Sequence, residues 1–256
     1  MKDVEDLTKK PIRFSEKYDL DVYARVKIAR SGMSEHIIFY KKDYNEIINH
    51  LIAHECGHIL RTFSAPEDKR LVPISTQNTR ANFIREIEGD IKKLSSIMPL
   101  QEVYKLADLW LNGLIRQLTN YPPDIMIEKW IYNNYPELRP FQLDSILRQR
   151  DLAVAVLSDD IKAITPTKIY KSSNIMNYAF FNLLGNHIGN NLIKPYDRTP
   201  YIKKGRKLVS LTENKYRDNY EGDIEMINQW ADFLSISNWF DWTNFENVSP
   251  SYLYAE

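Results

Sequence analysis

Two histidines four residues apart, with a glutamate beside the first, are the residues of this chain best suited to chemistry. They are His54, Glu55 and His58, in the stretch HECGH. If this stretch is helical, His54 and His58 lie on one face, about 6 Å apart along the axis, and can direct ring nitrogens at one metal ion. Glu55 is rotated by about 100° from His54, so its carboxylate stands beside the metal position. A general base must stand there to take a proton from a water that zinc has made acidic.

The residues around the motif predict a buried helix that follows a small sheet. Apolar residues recur at helical spacing over residues 43–63, which predicts one amphipathic helix. Asp43 at its start, with Glu46 three residues later, has the spacing of a capping box. The stretches 23–30 and 35–42 are rich in β-branched and apolar residues around a turn-like SGMS, which predicts a hairpin of two strands. The polar, proline-containing stretch after the helix is predicted to be a loop.

The rest of the chain is predicted to be helical, which makes the fold class α+β and mostly helical. We predict one domain over residues 1–256, with a core at about 20–135 and a helical C-terminal extension at about 136–256. An exposed loop is expected at 194–207, and the aromatic stretch 238–245 is expected to pack against the domain. The predicted helices cover residues 79–97, 100–118, 123–134, 140–158, 173–193 and 223–236.

Composition limits the classes of function that the chain can have. The 34 basic and 34 acidic residues balance, so no net field attracts nucleic acid, and nucleic acid is not an expected partner. No apolar run reaches the length of about 18 residues that a membrane helix needs. The first residues mix both charges without an apolar segment, so the expected location is the cytoplasm. Cys56 is the single cysteine, which excludes an internal disulfide and fits a small core residue.

The HECGH stretch matches the HExxH motif of the zincin metallopeptidases, and the chain resembles that family. In metzincins the motif continues with a glycine and a third histidine, but Arg61 and Ser64 occupy those positions here. The next histidine along the chain is His187. The resemblance therefore implies the gluzincin arrangement, in which a glutamate from a second helix is the third zinc ligand.

Glu86 is the favoured third ligand. It lies 28 residues after His58 (86 − 58), on a predicted helix that would return antiparallel. Asp90 follows one turn later, where it could accept the outer N–H of a ligand histidine. The stretch EIEGD, residues 86–90, also resembles the E-x-E-A-D/N helix of ImmA/IrrE-like and HtpX-type peptidases. Glu88 in the same stretch is a further alternative.

Glu128 is the competing third ligand. Asn120, Asp124 and Glu128 fall at four-residue intervals, and apolar residues flank Glu128. A carboxylate in such surroundings needs a cation or a hydrogen-bond donor. Asp124 is interpreted as an acid at the start of a helix, where the helix dipole favours it.

Two other histidines have structural interpretations. His50 lies one turn before His54 and is read as a surface histidine or a second-shell partner of the metal site. His187, on an apolar and asparagine-rich helix, is read as a core histidine. It could act as a transition-state donor only if it entered the cleft.

The resemblance implies a zinc-dependent intracellular peptidase that cleaves a specific protein. Zn²⁺ is the expected cofactor, a protein or peptide the expected substrate, and a regulatory protein a further expected partner. In zincins an edge strand aligns the peptide by strand addition, and 35–42 is the candidate strand. The alternative is a catalytically inactive zincin-like sensor or protein-interaction module, although a retained Glu55 favours the enzyme.

Overall fold

The chain is a mostly helical α+β protein in a computed structural model that describes residues 1–20, 22–42 and 47–248. A small sheet lies near the N-terminus, and a helical bundle makes up most of the remainder, which confirms the predicted fold class. Within the described ranges, no helix combines the length and the apolar composition that crossing a bilayer requires.

The N-terminal sheet has three strands and follows a short helix, α1 (Lys2–Thr8). Strand β3 (His36–Tyr40) lies in the centre, antiparallel to β2 (Ala24–Lys27) and parallel to β1 (Ile12–Glu16). The antiparallel β2–β3 pair confirms the predicted hairpin, whereas β1 was not predicted. The prediction that 35–42 is an edge strand was wrong, because β3 is paired on both sides; β2 is the edge strand on that side of the sheet.

Helix α2 (Ile48–Ser64) carries the HECGH motif, as predicted. Cys56 and Ile59 on one face pack against Val26 and Ile38 of the sheet in a small apolar core. The opposite part of the helix surface carries the histidines. Asp43 and Glu46, the predicted capping box, lie outside the described residues.

Helix α5 (Leu100–Asn134) is continuous, although the sequence predicts two helices there. Pro122 and Pro123 lie inside it, and each removes a backbone donor from the helical ladder. Burial of apolar residues on both sides of the prolines, including Leu118 and Ile125, stabilises the continuous form. Asp124 is therefore an interior residue of a long helix and does not lie at a helix start.

The remaining helices surround α5. The predicted helix over 79–97 is divided at Ile87, and the predicted loop at 194–207 is helical from Ile202 onward, so both predictions were partly wrong. The remaining helices are α3 (Gln77–Glu86), α4 (Glu88–Leu94), α6 (Arg139–Ala155), α7 (Asp159–Ile164), α8 (Thr167–Ile188), α9 (Ile202–Lys215) and α10 (Tyr220–Leu234). Buried residues of α5, α8 and α10 form most of the main core.

A two-stranded ribbon joins the region after α2 to the C-terminal segment. Strand β4 (Leu71–Ile74), in the predicted loop, pairs antiparallel with β5 (Asp241–Asn244). Trp239, Phe240 and Phe245 are buried beside it. This confirms that the aromatic stretch packs against the rest of the protein.

Candidate metal centre

Helix α2 brings the two motif histidines together. The Nε2 atoms of His54 and His58 are 3.2 Å apart, and both side chains are partly buried. This closeness follows from the i, i+4 spacing, which places the two imidazoles next to each other on one face of the helix, with their rings at 72°.

Helix α5 adds a carboxylate to this pair. Asp124 Oδ1 lies 3.1 Å from His58 Nε2 and 3.4 Å from His54 Nε2, and Asp124 is buried. The approach of the helices depends on Gly57, because a Cβ at that position would lie 2.6 Å from Cγ2 of Ile127 on α5. A small residue at the crossing thus lets α5 deliver its carboxylates to the histidine face of α2.

The Nε2 atoms of His54 and His58 and the Oδ1 atom of Asp124 lie at similar distances from one another, 3.1–3.4 Å. Asp124 Oδ1 is buried and makes no hydrogen bond of acceptable geometry within the described ranges, despite its closeness to both imidazoles. Buried carboxylate oxygens normally have a partner. Atoms of His54, His58 and Asp124 are near enough to one another to share one cation, so the group could hold a metal ion.

Glu128 holds His54 from the other side. Its Oε1 is 2.7 Å from His54 Nδ1, and its Oε2 is 3.0 Å from His50 Nε2. The amide of Gln142 on α6 also donates to Oε2, at 2.5 Å. His50, His54 and Glu128 form a second group close enough for a metal ion. However, the 2.7 Å between His54 Nδ1 and Glu128 Oε1 is the length of a charge-assisted hydrogen bond, so these two atoms are bonded to each other.

This hydrogen bond favours one tautomer of neutral His54, the form that binds a metal. In that tautomer Nδ1 carries the proton and donates it to Glu128, and the lone pair of Nε2 is directed at His58 and Asp124. A carboxylate in this position fixes the tautomer and the ring orientation of a ligand histidine. Glu128 therefore lies where it can orient a ligand histidine through a hydrogen bond, and His50 is a buried hydrogen-bond partner of Glu128.

The electrostatics of the cluster favour a positive charge at its centre. Burial opposes ionisation of Asp124, but the adjacent imidazoles lower the pKa of its carboxyl group below the usual value. Burial likewise opposes ionisation of Glu128, but His50 and His54 outweigh this effect and lower the pKa of its carboxyl group below the usual value. Burial disfavours protonation of His54, yet the two carboxylates raise its pKa well above the usual value. Two buried anions beside imidazoles call for a bound proton or a metal cation.

Glu55 stands beside the cluster against the edge strand. Glu55 is 9% exposed, and its carboxylate lies close to the backbone of Val26 in β2. Burial raises the pKa of Glu55, while the nearby imidazoles of His58 and His54 act in the opposite direction. A carboxylate with a raised pKa is better matched to taking up and releasing a proton near neutral pH.

A cleft of about 630 Å³ opens onto all of these groups. Its walls come from β2, α2, β4, α5, α6, α10 and the C-terminal segment. Residues from the far C-terminal part of the chain include Ile227 and Trp242. The candidate centre therefore lies on a cavity large enough for part of an extended chain.

Glu86 is not brought to the histidines. Its carboxylate is hydrogen-bonded to Lys168, and Asn238 donates to it at 3.1 Å. Helix α3 packs against the C-terminal segment, where the rings of Phe83 and Trp239 are 4.9 Å apart, so Glu86 faces that segment. Asp124 occupies the place beside the histidines that the sequence analysis gave to Glu86.

The other predicted carboxylates of that stretch also lie elsewhere. Glu88 is exposed and forms a salt bridge with Lys92, at 2.6 Å. Neither Glu88 nor Asp90 belongs to the two groups of described residues that could hold a metal ion. His187 lies near the end of α8, where its Nε2 is 3.1 Å from Asn133 Oδ1. It is not among the described residues that line the cleft.

The sequence did contain a signal for Asp124. Asn120, Asp124 and Glu128 share one face of α5 because of their four-residue spacing. The two prolines before Asp124 led to the interpretation of a helix start, which assigned its charge to the helix dipole. A continuous α5 instead places Asp124 and Glu128 one turn apart against α2.

The chain matches no protein-family model, no curated protein and no solved structure in the comparisons. The resemblance to zincins drawn from the motif therefore stays a prediction. Interpretation of the site rests on its own geometry.

Proposed function

We propose that this protein is a zinc-dependent peptidase, with His54, His58 and Asp124 as metal ligands and Glu55 as general base. The observation that carries the proposal is the closeness of three ligand atoms beside Glu55, one of them a buried oxygen that has no hydrogen bond to the described residues. A purely structural site has no need of an adjacent base.

The spacing of the three atoms suits zinc. Zinc binds imidazole nitrogen and carboxylate oxygen at about 2.0–2.1 Å in a tetrahedron, so its ligand atoms lie about 3.3 Å apart. The observed separations are 3.1, 3.2 and 3.4 Å. His54, His58 and Asp124 would hold the ion, and a set of three protein ligands is that of catalytic zinc sites, which also bind water.

The reaction divides between the cation and Glu55. Zinc supplies a Lewis acid that polarises the scissile carbonyl and lowers the pKa of water. Glu55 takes a proton from the attacking water, whose oxygen bonds to the carbonyl carbon. Glu55 then gives this proton to the amide nitrogen as the C–N bond breaks, so that a carboxylic acid and an amine leave.

A protein or peptide is the proposed substrate. β2 lines the cleft and is an edge strand of the three-stranded sheet, which suits it to alignment of an extended chain by strand addition. This assigns to β2 the role that the sequence analysis gave to 35–42. Cytoplasmic cleavage of one specific protein, under control of a regulatory partner, remains a proposal based on the motif.

The test combines metal content with hydrolysis. Wild type, Asp124→Ala, Glu86→Ala and Glu55→Gln would be purified without added zinc, and metals would be measured by mass spectrometry. Each would then be incubated with an internally quenched peptide library. We expect near one zinc per chain in all except Asp124→Ala, and hydrolysis in wild type and Glu86→Ala only.

Glu86→Ala is the matched control. It removes the carboxylate that was predicted from the sequence to be the third ligand, and this carboxylate lies away from the histidines. Loss of zinc from Glu86→Ala but not from Asp124→Ala would overturn the ligand assignment. Zinc binding with no hydrolysis would overturn the enzyme and favour the sensor or interaction module.

A further inference from the structure

We propose that Asn120 is a further catalytic residue, whose side-chain amide donates a hydrogen bond to the carbonyl oxygen of the bond being cleaved. The inference rests on the proposed function and adds the donor that this function lacks. His54, His58 and Asp124 bind the cation, and Glu55 moves the proton, so none of them is a fixed donor to that oxygen.

The position of Asn120 fits this role. It lies one turn before Asp124 on α5, is exposed, and lines the same cleft. The helical rise over four residues is about 6 Å, so Asn120 lies on the same face of α5 as Asp124, one turn away from it. From this position its amide would donate, over a normal length of about 2.9 Å, to a substrate carbonyl held beside the ion.

The amide of Asn120 is also available. Its side chain makes no hydrogen bond to the part of the chain that the structure describes. Several other donors that line the cleft are engaged within the protein. Arg61 is held by two aspartates, and the hydroxyl of Thr119 donates to a carbonyl of its own helix. The hydroxyl of Tyr220 is held by the backbone of β4, and the indole N–H of Trp242 donates to an asparagine.

The chemistry of an amide suits the developing charge. When water adds to the carbonyl carbon, the carbonyl oxygen gains negative charge, and a donor already in place stabilises it without reorganisation. A neutral amide does this without adding charge next to a metal cation. Removal of one such donor typically lowers kcat by about 100- to 1,000-fold.

Two substitutions separate donation from shape. Asn120→Ala removes the side chain, and Asn120→Asp keeps its outline but removes the donor. Asn112→Ala is the control, because Asn112 is exposed on the same helix and is not among the described residues that line the cleft. With the quenched peptide library, we expect both Asn120 variants to lose about 100-fold in kcat with little change in KM. Zinc content and the midpoint of thermal unfolding should stay at the wild-type values.

A binding experiment gives a readout apart from hydrolysis. N-phosphoryl-Leu-Trp carries a tetrahedral, anionic group like the transition state, whereas acetohydroxamate binds chiefly through the metal. Titration calorimetry of the zinc-loaded proteins should show that Asn120→Ala weakens the affinity for the phosphoryl peptide by about tenfold or more. The affinity for acetohydroxamate should not change.

The outcomes are distinguishable. If Asn120→Ala retains kcat and phosphoryl peptide affinity within about twofold of wild type, while Glu55→Gln is inactive, the role of Asn120 is overturned and the proposed function stands. A zinc-loaded wild type without any hydrolysis overturns the proposed function, and the catalytic role of Asn120 with it.

Discussion

His54 uses its two ring nitrogens for two different partners, and this division decides how well the cluster can hold a cation. Nδ1 faces Glu128 at 2.7 Å, and Nε2 faces His58 and Asp124. We expect Glu128→Gln to weaken zinc binding by about 10- to 100-fold, because an amide does not hold the imidazole in this tautomer as firmly as a carboxylate. Competition with a chromophoric chelator measures the affinity.

The matched control for this prediction is Glu86→Gln. That change removes a carboxylate bonded to Lys168 and Asn238, away from the cluster, so zinc affinity should not change. Equal affinity of Glu128→Gln and wild type would show that Glu128 does not orient His54.

Single residues also mark the limit of prediction from sequence. His54, Glu55 and His58 could be proposed from spacing alone, because the helix that orders them is local. Asp124 lies 66 residues after His58 (124 − 58), and its closeness depends on how α2 and α5 cross. Local patterns carry no information about that crossing, so Glu86, on a helix of plausible direction, was favoured instead.

The crossing of α2 and α5 is the element-scale feature on which the site depends. A Cβ added to Gly57 would lie 2.6 Å from Ile127 Cγ2 and 3.1 Å from Cγ1. We expect Gly57→Ala to separate the helices and destabilise the protein by about 1–3 kcal/mol, despite the better helix propensity of alanine. Urea unfolding measures the free energy, and zinc content should fall because Asp124 moves away from the histidines.

Gly89→Ala is the control at this scale. Gly89 also lies in a helix, but an added Cβ meets nothing within 4 Å, so this change should be neutral or slightly stabilising. The Gly57→Ala penalty should also shrink in an Ile127→Ala background, since the atoms in conflict are then removed. A full penalty in that background would place the strain elsewhere.

Elements were predictable where the pattern was local and failed where tertiary contacts decided. The hairpin β2–β3 and helix α2 followed from periodicity. Helix α5 did not, because burial of its apolar face outweighs the two donors lost at Pro122 and Pro123. The start of helix α9 was predicted to be part of an exposed loop, because basic residues dominate it. Leu208 and Val209, further along the helix, are buried in the main core.

At the scale of the whole molecule, the cleft joins parts of the chain that are distant in sequence. Arg61 on α2 donates to Asp223 on α10, with Nη2 to Oδ1 at 2.6 Å, and β4 pairs with β5. The C-terminal half therefore supplies walls around a centre whose ligands all lie before residue 130. In the proposed enzyme, the C-terminal half would thus contribute to the substrate cleft but not to the set of metal ligands.

The stability of the whole protein should depend on pH through His36. Its side chain is fully buried, and its Nδ1 accepts the backbone N–H of Ala29, so it must be neutral there. Burial, and then the charge of Lys10, lower the pKa of His36 to about 4.

The sign of the effect follows from the lowered pKa of His36. The unfolded chain, with an ordinary histidine pKa near 6.5, binds a proton that the folded protein excludes between about pH 6.5 and 4. The contribution is complete above about pH 6.5 and is lost as pH falls towards 4, by up to roughly 3 kcal/mol. The free energy of unfolding would be measured with urea for wild type and His36→Asn, with zinc chelated in both. Between about pH 7 and 4.5, the variant should lose less stability than wild type. The amide oxygen of the new side chain can still accept the hydrogen bond from Ala29. Because all other titrating groups are common to both proteins, equal losses would mean that His36 does not set this dependence.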